Sequence, residues 1–292
     1  MACATPQSDV TSTHLPAPTL DELRNATYTG IDERLKTVAL HDGRWSGEPA
    51  APGAASRPLV ELAGDFRVVG DLDGDRQDEA VAVLTYITGG SGVLSYLAVV
   101  TRKNGTPRSL ATTLLGDRVQ IRSVRIDGDR LIASVVRAGD KDPACCGGEL
   151  VEWQWTLGKD RLNAVVTTIT GRLSLDTISG TVWTLHAWDL REPAQSPPTV
   201  TLAYESGRFT GSSGCNRYFG GAKGTDTPGE ISVGVLAGTR TACPERESAA
   251  EARFLEQLGG ASKFGFVLGR LAISYARTDG SVGTMLFDAS SP

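Results

Sequence analysis

Two short stretches in the C-terminal part of the chain decide its fold. They are Gly214-Cys215-Asn216-Arg217-Tyr218-Phe219-Gly220 and Thr239-Arg240-Thr241-Ala242-Cys243-Pro244-Glu245. The first places a cysteine in a glycine-flanked turn that leads into an aromatic segment. The second opens a helix, because proline suits a first helical position and glutamate suits the positive end of the helix dipole. The predicted helix has an apolar stripe at Ala250, Phe254, Leu255 and Leu258, and it ends at Gly259-Gly260.

Gly-Cys-Asn-Arg-Tyr-Phe-Gly followed by Thr-Arg-x-x-Cys-Pro-Glu resembles the META/HslJ family of small bacterial envelope domains. The resemblance begins near Val182-Trp183-Thr184-Leu185 and closes at Met285-Leu286-Phe287, so we place the second domain at residues 178–292. It implies one helix packed on a curled antiparallel sheet. It also implies a stress-linked or envelope-maintenance role without catalysis, and some relatives are linked to heat response and novobiocin tolerance.

Length and composition bound the remaining classes of protein. The 292 residues are enough for two domains, and 22% charged residues is ordinary for a globular protein. The net charge of −5 argues against a nucleic-acid binder, which usually carries a basic face. Short apolar runs separated by turn residues, among them 34 glycines, predict a mainly β (α+β) chain. We expect two domains, each a curled antiparallel sheet or small barrel, with the packed helix in the second.

The first domain is predicted at residues 19–172, with a linker within residues 171–180. Thr19 suits the N-cap of a short helix. A hairpin is predicted over residues 38–45, where Asp42-Gly43 would form the turn. Val81 to Leu84 is apolar at successive positions, as in a strand covered on both faces. Around Trp153, apolar and polar residues alternate from Val151 to Leu157, which predicts a half-buried antiparallel strand.

The N-terminus has the features of a lipid-anchored envelope protein. Cys3 is followed by a polar, proline-containing stretch, so we predict a disordered tether over residues 1–18. We expect the native gene to encode an apolar signal segment ending just before Cys3, which would then carry the lipid. We therefore expect the protein in the cell envelope, in the periplasm and attached to a membrane. The alternative is a stray thiol in a frayed terminus.

An acidic loop in the first domain predicts a calcium site. Asp71, Asp73, Asp75 and Glu79 offer carboxylates, and Gln77 offers its backbone carbonyl. The loop resembles the Asp-x-Asp-Gly-Asp loops of integrin/VCBS-type repeats, in which a strand follows at once. It departs from them at Arg76, where those loops usually have glycine in a left-handed conformation. The alternative is an acidic, well-solvated turn.

Four cysteines besides Cys3 fit an oxidising compartment. We predict a Cys215–Cys243 disulfide that pins the helix to the sheet. The alternative is two buried free thiols. Cys145 and Cys146 would then be left for each other or for neither, and we interpret them as a structural pair in a loop.

A binding or structural role is favoured over catalysis. Cys215 as a nucleophile would need a histidine base, and nothing in the sequence places His186 beside it. A thiol-based enzyme is therefore the less favoured class. Asn216, Arg217 and Tyr218 have structural roles by default: Arg217 would pair with Glu245 or Glu247, and Tyr218 and Phe219 would fill the core.

The same motif also offers an alternative in which Asn216, Arg217 and Arg240 bind a partner at the sheet edge. The partner would be an envelope protein or a glycan, and calcium is the one cofactor expected. A calcium-dependent binding module for glycan or protein is the main rival to the envelope-maintenance role.

Overall fold

The first domain is built of antiparallel strands and one short helix. The computed structural model describes residues 16–49, 56–140, 142–143 and 146–290. Helix α1 is Leu20–Arg24, capped by Thr19 in the capping box that its sequence predicts. The strands are β1 (Thr27–Asp32), β2 (Leu35–Ala39), β3 (Arg44–Ser46), β4 (Leu59–Gly70), β5 (Glu79–Ile87), β6 (Val93–Lys103), β7 (Thr106–Asp117), β8 (Gln120–Asp127), β9 (Arg130–Arg137), β10 (Glu149–Leu157) and β11 (Leu162–Arg172).

These elements form three layers. Strands β3 to β7 make the central sheet in sequence order, and strands β8 to β11 make a second sheet. The β1–β2 hairpin and α1 cover the other face of the central sheet. Each layer is antiparallel, in agreement with the predicted fold class.

Burial on both faces explains the continuous apolar runs of β5 and β6. Ala82 and Leu84 face α1 and the β1–β2 hairpin, whereas Val81 and Val83 face the second sheet. Successive side chains of a strand point to opposite faces, so a strand between two layers needs apolar residues at every position. The prediction for Val81 to Leu84 is therefore confirmed.

The predicted hairpin at residues 38–45 is wrong, although its turn forms. Asp42 and Gly43 have φ values of 50° and 82°, and a single bridge joins His41 to Arg44. Beyond the turn, β2 pairs with β1, whereas β3 pairs with β4. The turn links two layers because the Gly43 N–H donates to the carbonyl of Arg24, the last residue of α1, while the Gly43 carbonyl accepts from the Leu62 N–H of β4.

Part of the predicted tether over residues 1–18 contacts the first domain. Its last three residues lie against the first domain, where Arg102 donates to the Pro16 carbonyl at 2.7 Å and Arg67 donates to the Pro18 carbonyl at 2.6 Å. Ala17 between them is buried. The rest of the predicted tether, including Cys3, lies outside the described residues.

The second domain is a curled sheet with one packed helix. It follows a 3-10 helix at Leu175–Ile178 and contains helix α2 (Glu245–Gly259). Its strands are β12 (Trp183–Trp188), β13 (Glu192–Pro193), β14 (Thr201–Glu205), β15 (Arg208–Ser212), β16 (Arg217–Gly224), β17 (Ile231–Val233), β18 (Ala237–Gly238), β19 (Ala261–Val267), β20 (Arg270–Ala276) and β21 (Val282–Ala289).

The sheet curls into a nearly closed barrel. Its main strand order is β17-β16-β15-β14-β12-β21-β20-β19, and a single bridge between Glu230 and Lys263 joins the two ends. Helix α2 packs Phe254 and Leu258 into the interior beside strand residues such as Phe287. The helix begins one residue later than predicted, because Pro244 is its N-cap, and it ends at Gly259 with Gly260 as its C-cap.

The two domains are in direct contact. The side chain of Gln120 accepts a hydrogen bond of 2.9 Å from the Phe266 N–H, and the Gly269 N–H donates to the Ile121 carbonyl at 2.9 Å. Within the predicted linker, Leu175 and Ile178 are buried in the core of the second domain. Among the described helices, none combines the length and the apolar character needed to span a membrane. The exact domain boundaries remain a prediction.

Candidate functional site

The acidic loop connects β4 to β5 and is anchored by two buried residues. Leu72 packs in the core between the two sheets of the first domain. Glu79 is fully buried at the start of β5, where it accepts from the Leu72 N–H at 2.9 Å and from the Thr101 hydroxyl at 3.0 Å. Glu79 therefore holds the loop against the sheet and lies below its exposed acidic residues.

Within the loop, aspartate side chains accept hydrogen bonds from the backbone ahead of them. Asp71 accepts from the Gly74 N–H at 2.8 Å and from the Arg76 N–H at 3.0 Å. The Asp75 N–H donates to Asp73 at 3.1 Å, and Asp75 in turn accepts from the Gln77 N–H at 2.7 Å. Such turns fold the loop around its own carboxylate side chains, so the carboxylates lie close to one another.

Three carboxylates converge on one point. Oxygen atoms of Asp71, Asp73 and Glu79 all lie within 4.8 Å of one another. Calcium binds oxygen at about 2.3 to 2.6 Å, so oxygens up to about 5 Å apart can ligate one ion. These residues would therefore supply three of the roughly six to eight oxygen ligands that calcium takes. Asp75, which the sequence also proposed as a ligand, is not part of this group of three.

The electrostatics of the loop favour a bound cation. Burial, with the neighbouring charges of Asp73 and Asp75, raises the pKa of Glu79 to about 6. Burial also raises the pKa of Asp73, to which the charges of Asp75 and Asp71 add. Both shifts mean that the carboxylate form is destabilised in this environment. A divalent cation among these groups would stabilise their charged forms.

Arg76 adopts the conformation that glycine usually supplies in such loops. Its φ is 69°, in the left-handed region that an arginine side chain makes unfavourable. The loop thus has arginine instead of the glycine of the integrin/VCBS-type pattern, but it keeps the left-handed backbone conformation at this position. Its backbone N–H is the one that donates to Asp71.

The second cluster centres on Asn216, which is 5% exposed. Its side-chain carbonyl accepts from the Thr239 hydroxyl at 2.7 Å and from the Thr241 N–H at 2.8 Å. Its amide nitrogen donates to Glu251 at 3.1 Å and to the Thr241 carbonyl at 3.3 Å. Asn216 therefore joins the cysteine turn, the segment after β18 and helix α2.

Glu251 is the charged member of this cluster that sequence reasoning missed. It accepts hydrogen bonds from the Asn216 N–H at 2.9 Å and from the Ser213 hydroxyl. Burial acts to raise the pKa of Glu251, but the hydrogen bonds from Ser213 and Asn216 outweigh it and hold the pKa below its usual value. One signal was present in the sequence: Glu251 lies three residues before Phe254, so it shares the core-facing side of the helix.

A disulfide between Cys215 and Cys243 closes the cluster, as predicted. The two Cα atoms are 6.2 Å apart. Gly214 beside it has a φ of 109°, and a Cβ there would lie 3.2 Å from Pro198, so the turn favours glycine. Of the other predicted cysteine sites, Cys146 is disulfide-bonded, whereas Cys145 and Cys3 lie outside the described residues.

Several predicted roles for the neighbouring residues are wrong. Phe219 is 52% exposed, because strand alternation turns it outward when Tyr218 is buried. Arg217 points outward for the same reason, and among the described residues it forms no ion pair with Glu245 or Glu247. Arg240 is also exposed. It lies close to Arg217 because the N–H of the preceding residue, Thr239, donates to the Arg217 carbonyl at 3.0 Å.

The histidine considered as a base for Cys215 has another partner. Nδ1 of His186 lies 2.7 Å from a carboxylate oxygen of Asp288 on the adjacent strand β21. The sulfur of Cys215 is bonded to that of Cys243. Cys215 is therefore not a free thiol, and the nucleophilic role considered for it has no support in this geometry.

Comparisons with known proteins bear on the second domain. Residues 176–286 match the META domain family, which confirms the resemblance for that part of the chain. One similar solved structure is the NMR structure of a protein from Burkholderia xenovorans, with 24% sequence identity and a TM-score of 0.32. The match covers 44% of this chain and 97% of the Burkholderia chain. No curated protein matches the chain.

Proposed function

We propose that this chain is a bacterial envelope protein whose META domain serves envelope maintenance or stress tolerance by binding rather than by catalysis. The observation that carries the proposal is the Cys215–Cys243 disulfide within the hydrogen-bond network of Asn216. Structural disulfides persist in oxidising compartments and are rare in the cytosol. A bridge that ties the N-terminus of α2 to the sheet is thus suited to the periplasm.

A lipid anchor at Cys3 completes the proposed localisation. The polar, proline-containing residues after Cys3 suit a tether between a membrane surface and the first domain. A single acyl chain binds a membrane only marginally, so the several chains of a bacterial lipoprotein would be needed for stable attachment.

The proposed partner is an envelope protein or a glycan, and not a nucleic acid. Arg217 and Arg240 lie exposed on the outer face of the second domain beside Phe219, which is 52% exposed. Arginine and aromatic side chains are enriched at protein interfaces and contribute most of their binding energy. We therefore assign these residues to the partner-binding surface.

The envelope role is tested on protein purified from its own host after cell fractionation. We expect it in the membrane fraction, with an acylated cysteine at the mature N-terminus and a Cys215–Cys243 peptide pair in non-reducing mass spectrometry. A soluble cytosolic protein with reduced Cys215 and Cys243 would contradict the compartment and the proposed function together.

A second candidate function is calcium-dependent binding through the first domain. The convergence of Asp71, Asp73 and Glu79 within 4.8 Å favours it. In this function the ion would order the loop between β4 and β5 and so shape a surface for glycan or protein. Isothermal titration of the chelator-treated full chain with calcium is the test, with magnesium as the control. Because magnesium prefers a smaller octahedral site and holds its waters, we expect weaker binding. No heat with calcium would leave a solvated acidic turn.

A further inference from the structure

A pocket of about 560 Å³ opens in the second domain between helix α2 and the segment that joins β12 to β14. This volume is within the range of about 300 to 1,000 Å³ that is typical of small-molecule sites. All of its lining residues fall within residues 184–253, so the pocket includes no residue of the acidic loop or of the first domain. It is therefore a feature of the META domain alone.

The floor of the pocket is apolar, and the side of the pocket formed by helix α2 carries small side chains. Leu185, Trp188, Pro198 and Val200 are buried and form the floor. The α2 residues that line the pocket are three or four positions apart, as on one side of a helix: Arg246, Ala249, Ala250 and Arg253. Two of them, Ala249 and Ala250, are small and leave room that larger side chains would fill. A flat apolar group could therefore lie against Leu185 and Val200, beside the Arg253 side chain that packs over Trp188.

Three charged residues line the pocket, namely Glu192, Arg246 and Arg253. Arg253 donates to both carboxylate oxygens of Glu192, at 2.6 and 2.8 Å, and its guanidinium lies 4.3 Å from the ring centre of Trp188. These hydrogen bonds hold the pKa of Glu192 below its usual value. Glu192 and Arg253 thus neutralise each other.

Arg246 is the charged lining residue without such a partner. Its guanidinium donates to the neutral side chain of Gln195 at 2.8 Å. Among the residues that the structure describes, no carboxylate forms an ion pair with it. The rim of an apolar pocket therefore carries one uncompensated positive charge.

We propose that this pocket binds a small amphipathic anion. Its flat apolar part would lie against Leu185 and Val200, and one carboxylate, sulfonate or phosphate group would meet Arg246. Arginine offers a fork of donors that matches such oxyanions. The proposal goes beyond the envelope role and depends neither on calcium nor on the lipid anchor.

The test uses the full chain and two probes that share an apolar skeleton. The anionic probe is 8-anilino-1-naphthalenesulfonate, and the neutral one is N-phenyl-1-naphthylamine. We expect saturable one-to-one binding of the anionic probe by fluorescence titration. The change R246Q should weaken it about tenfold, as expected for losing a charge-assisted hydrogen bond, and should affect the neutral probe little.

A second variant separates the pocket from its charge. Ala249 is exposed on the helix, so A249F should fold normally while filling the pocket, and it should abolish binding of both probes. The control R208Q removes an exposed arginine on β15 and should bind as the wild type does. Melting curves verify that all variants are folded. Unchanged binding in both R246Q and A249F, or no saturable binding by the wild type, would overturn the proposal.

Discussion

The acidic loop of the first domain and the Asn216 cluster of the second are both built around a buried polar side chain. Glu79 is 0% exposed and Asn216 is 5% exposed. Every polar atom of the Asn216 amide has a partner, and the cluster is closed by a disulfide. Glu79 also has hydrogen-bond partners, but its nearest charged neighbours are carboxylates of the same sign.

This difference teaches how to separate a structural site from a responsive one. Burial of a polar group is stabilising only when its hydrogen bonds and its charge are both compensated. The Asn216 cluster has its hydrogen bonds satisfied from within the protein, and those from Ser213 and Asn216 stabilise the Glu251 carboxylate in it. The acidic loop lacks the compensating charge, so its stability should depend on pH and on cations.

The largest expected effect is the loss of the Cys215–Cys243 bridge. Replacing both cysteines with serine should lower the free energy of unfolding by about 3 to 4 kcal/mol, because the unfolded chain is no longer restricted. Thermal melting in oxidising buffer measures this loss. Reductant should bring the wild type close to the variant. A wild type that reductant leaves unchanged would contradict a stabilising role for the bridge.

The next effect concerns the hydrogen bonds within the same cluster. Asn216→Ala leaves the Thr241 N–H and a carboxylate oxygen of Glu251 without their partner, which should cost about 3 kcal/mol. Urea unfolding measures it. The matched control is Arg217→Ala, one residue away and exposed, for which a change within about 0.5 kcal/mol is expected. Equal losses in the two variants would count against the network.

Calcium should stabilise the first site and leave the second unaffected. At a hundredfold excess over its Kd, calcium should add about 2.7 kcal/mol to the free energy of unfolding. Asp71→Asn with Asp73→Asn should abolish this gain, whereas Asp78→Asn, in the same loop but outside the group of three, should retain it. Melting curves with calcium or chelator provide the measurement. A gain that survives in the double variant would place the ion elsewhere.

The smallest expected effect is a pH dependence from Glu79. Its pKa is about 6 in the folded protein, above the usual 4.5, so between these values the folded state binds more protons than the unfolded state. Without calcium, stability should therefore fall by about 2 kcal/mol in total as pH rises from about 3.5 to about 7, with most of the fall between pH 4.5 and 6. Glu79→Gln should flatten this profile, and the exposed control Glu205→Gln should not. A fall that persists in Glu79→Gln would assign it to another group.

Much of the fold is readable from local patterns. The apolar run from Val81 to Leu84 predicts a strand covered on both faces, and the glycines at 259 and 260 predict the end of helix α2. These predictions succeed because periodicity and turn chemistry act within a few residues. The acidic loop is readable for the same reason, since the residues proposed as its calcium ligands lie within nine positions.

The failures concern which distant segments meet. The Asp42-Gly43 turn is local and forms, but the pairing of its strands depends on the layers around them. Phe219 is aromatic in a core-forming strand, yet the register set by Tyr218 turns it outward. A single-residue change of register exchanges the two faces of a strand, and local composition does not determine it.

The sequence by itself determined the mainly β class, the META resemblance of the C-terminal part and the cysteines that form its bridge. Only the tertiary structure decided that Glu251 completes the Asn216 cluster and that Asp75 lies outside the group of Asp71, Asp73 and Glu79. It also decided that Arg246 lies at a pocket without an ion-pair partner among the described residues. The physical reason is that propensity and periodicity act over a few residues. Hydrogen bonds and charge compensation instead depend on distances between segments far apart in the chain, which packing alone sets.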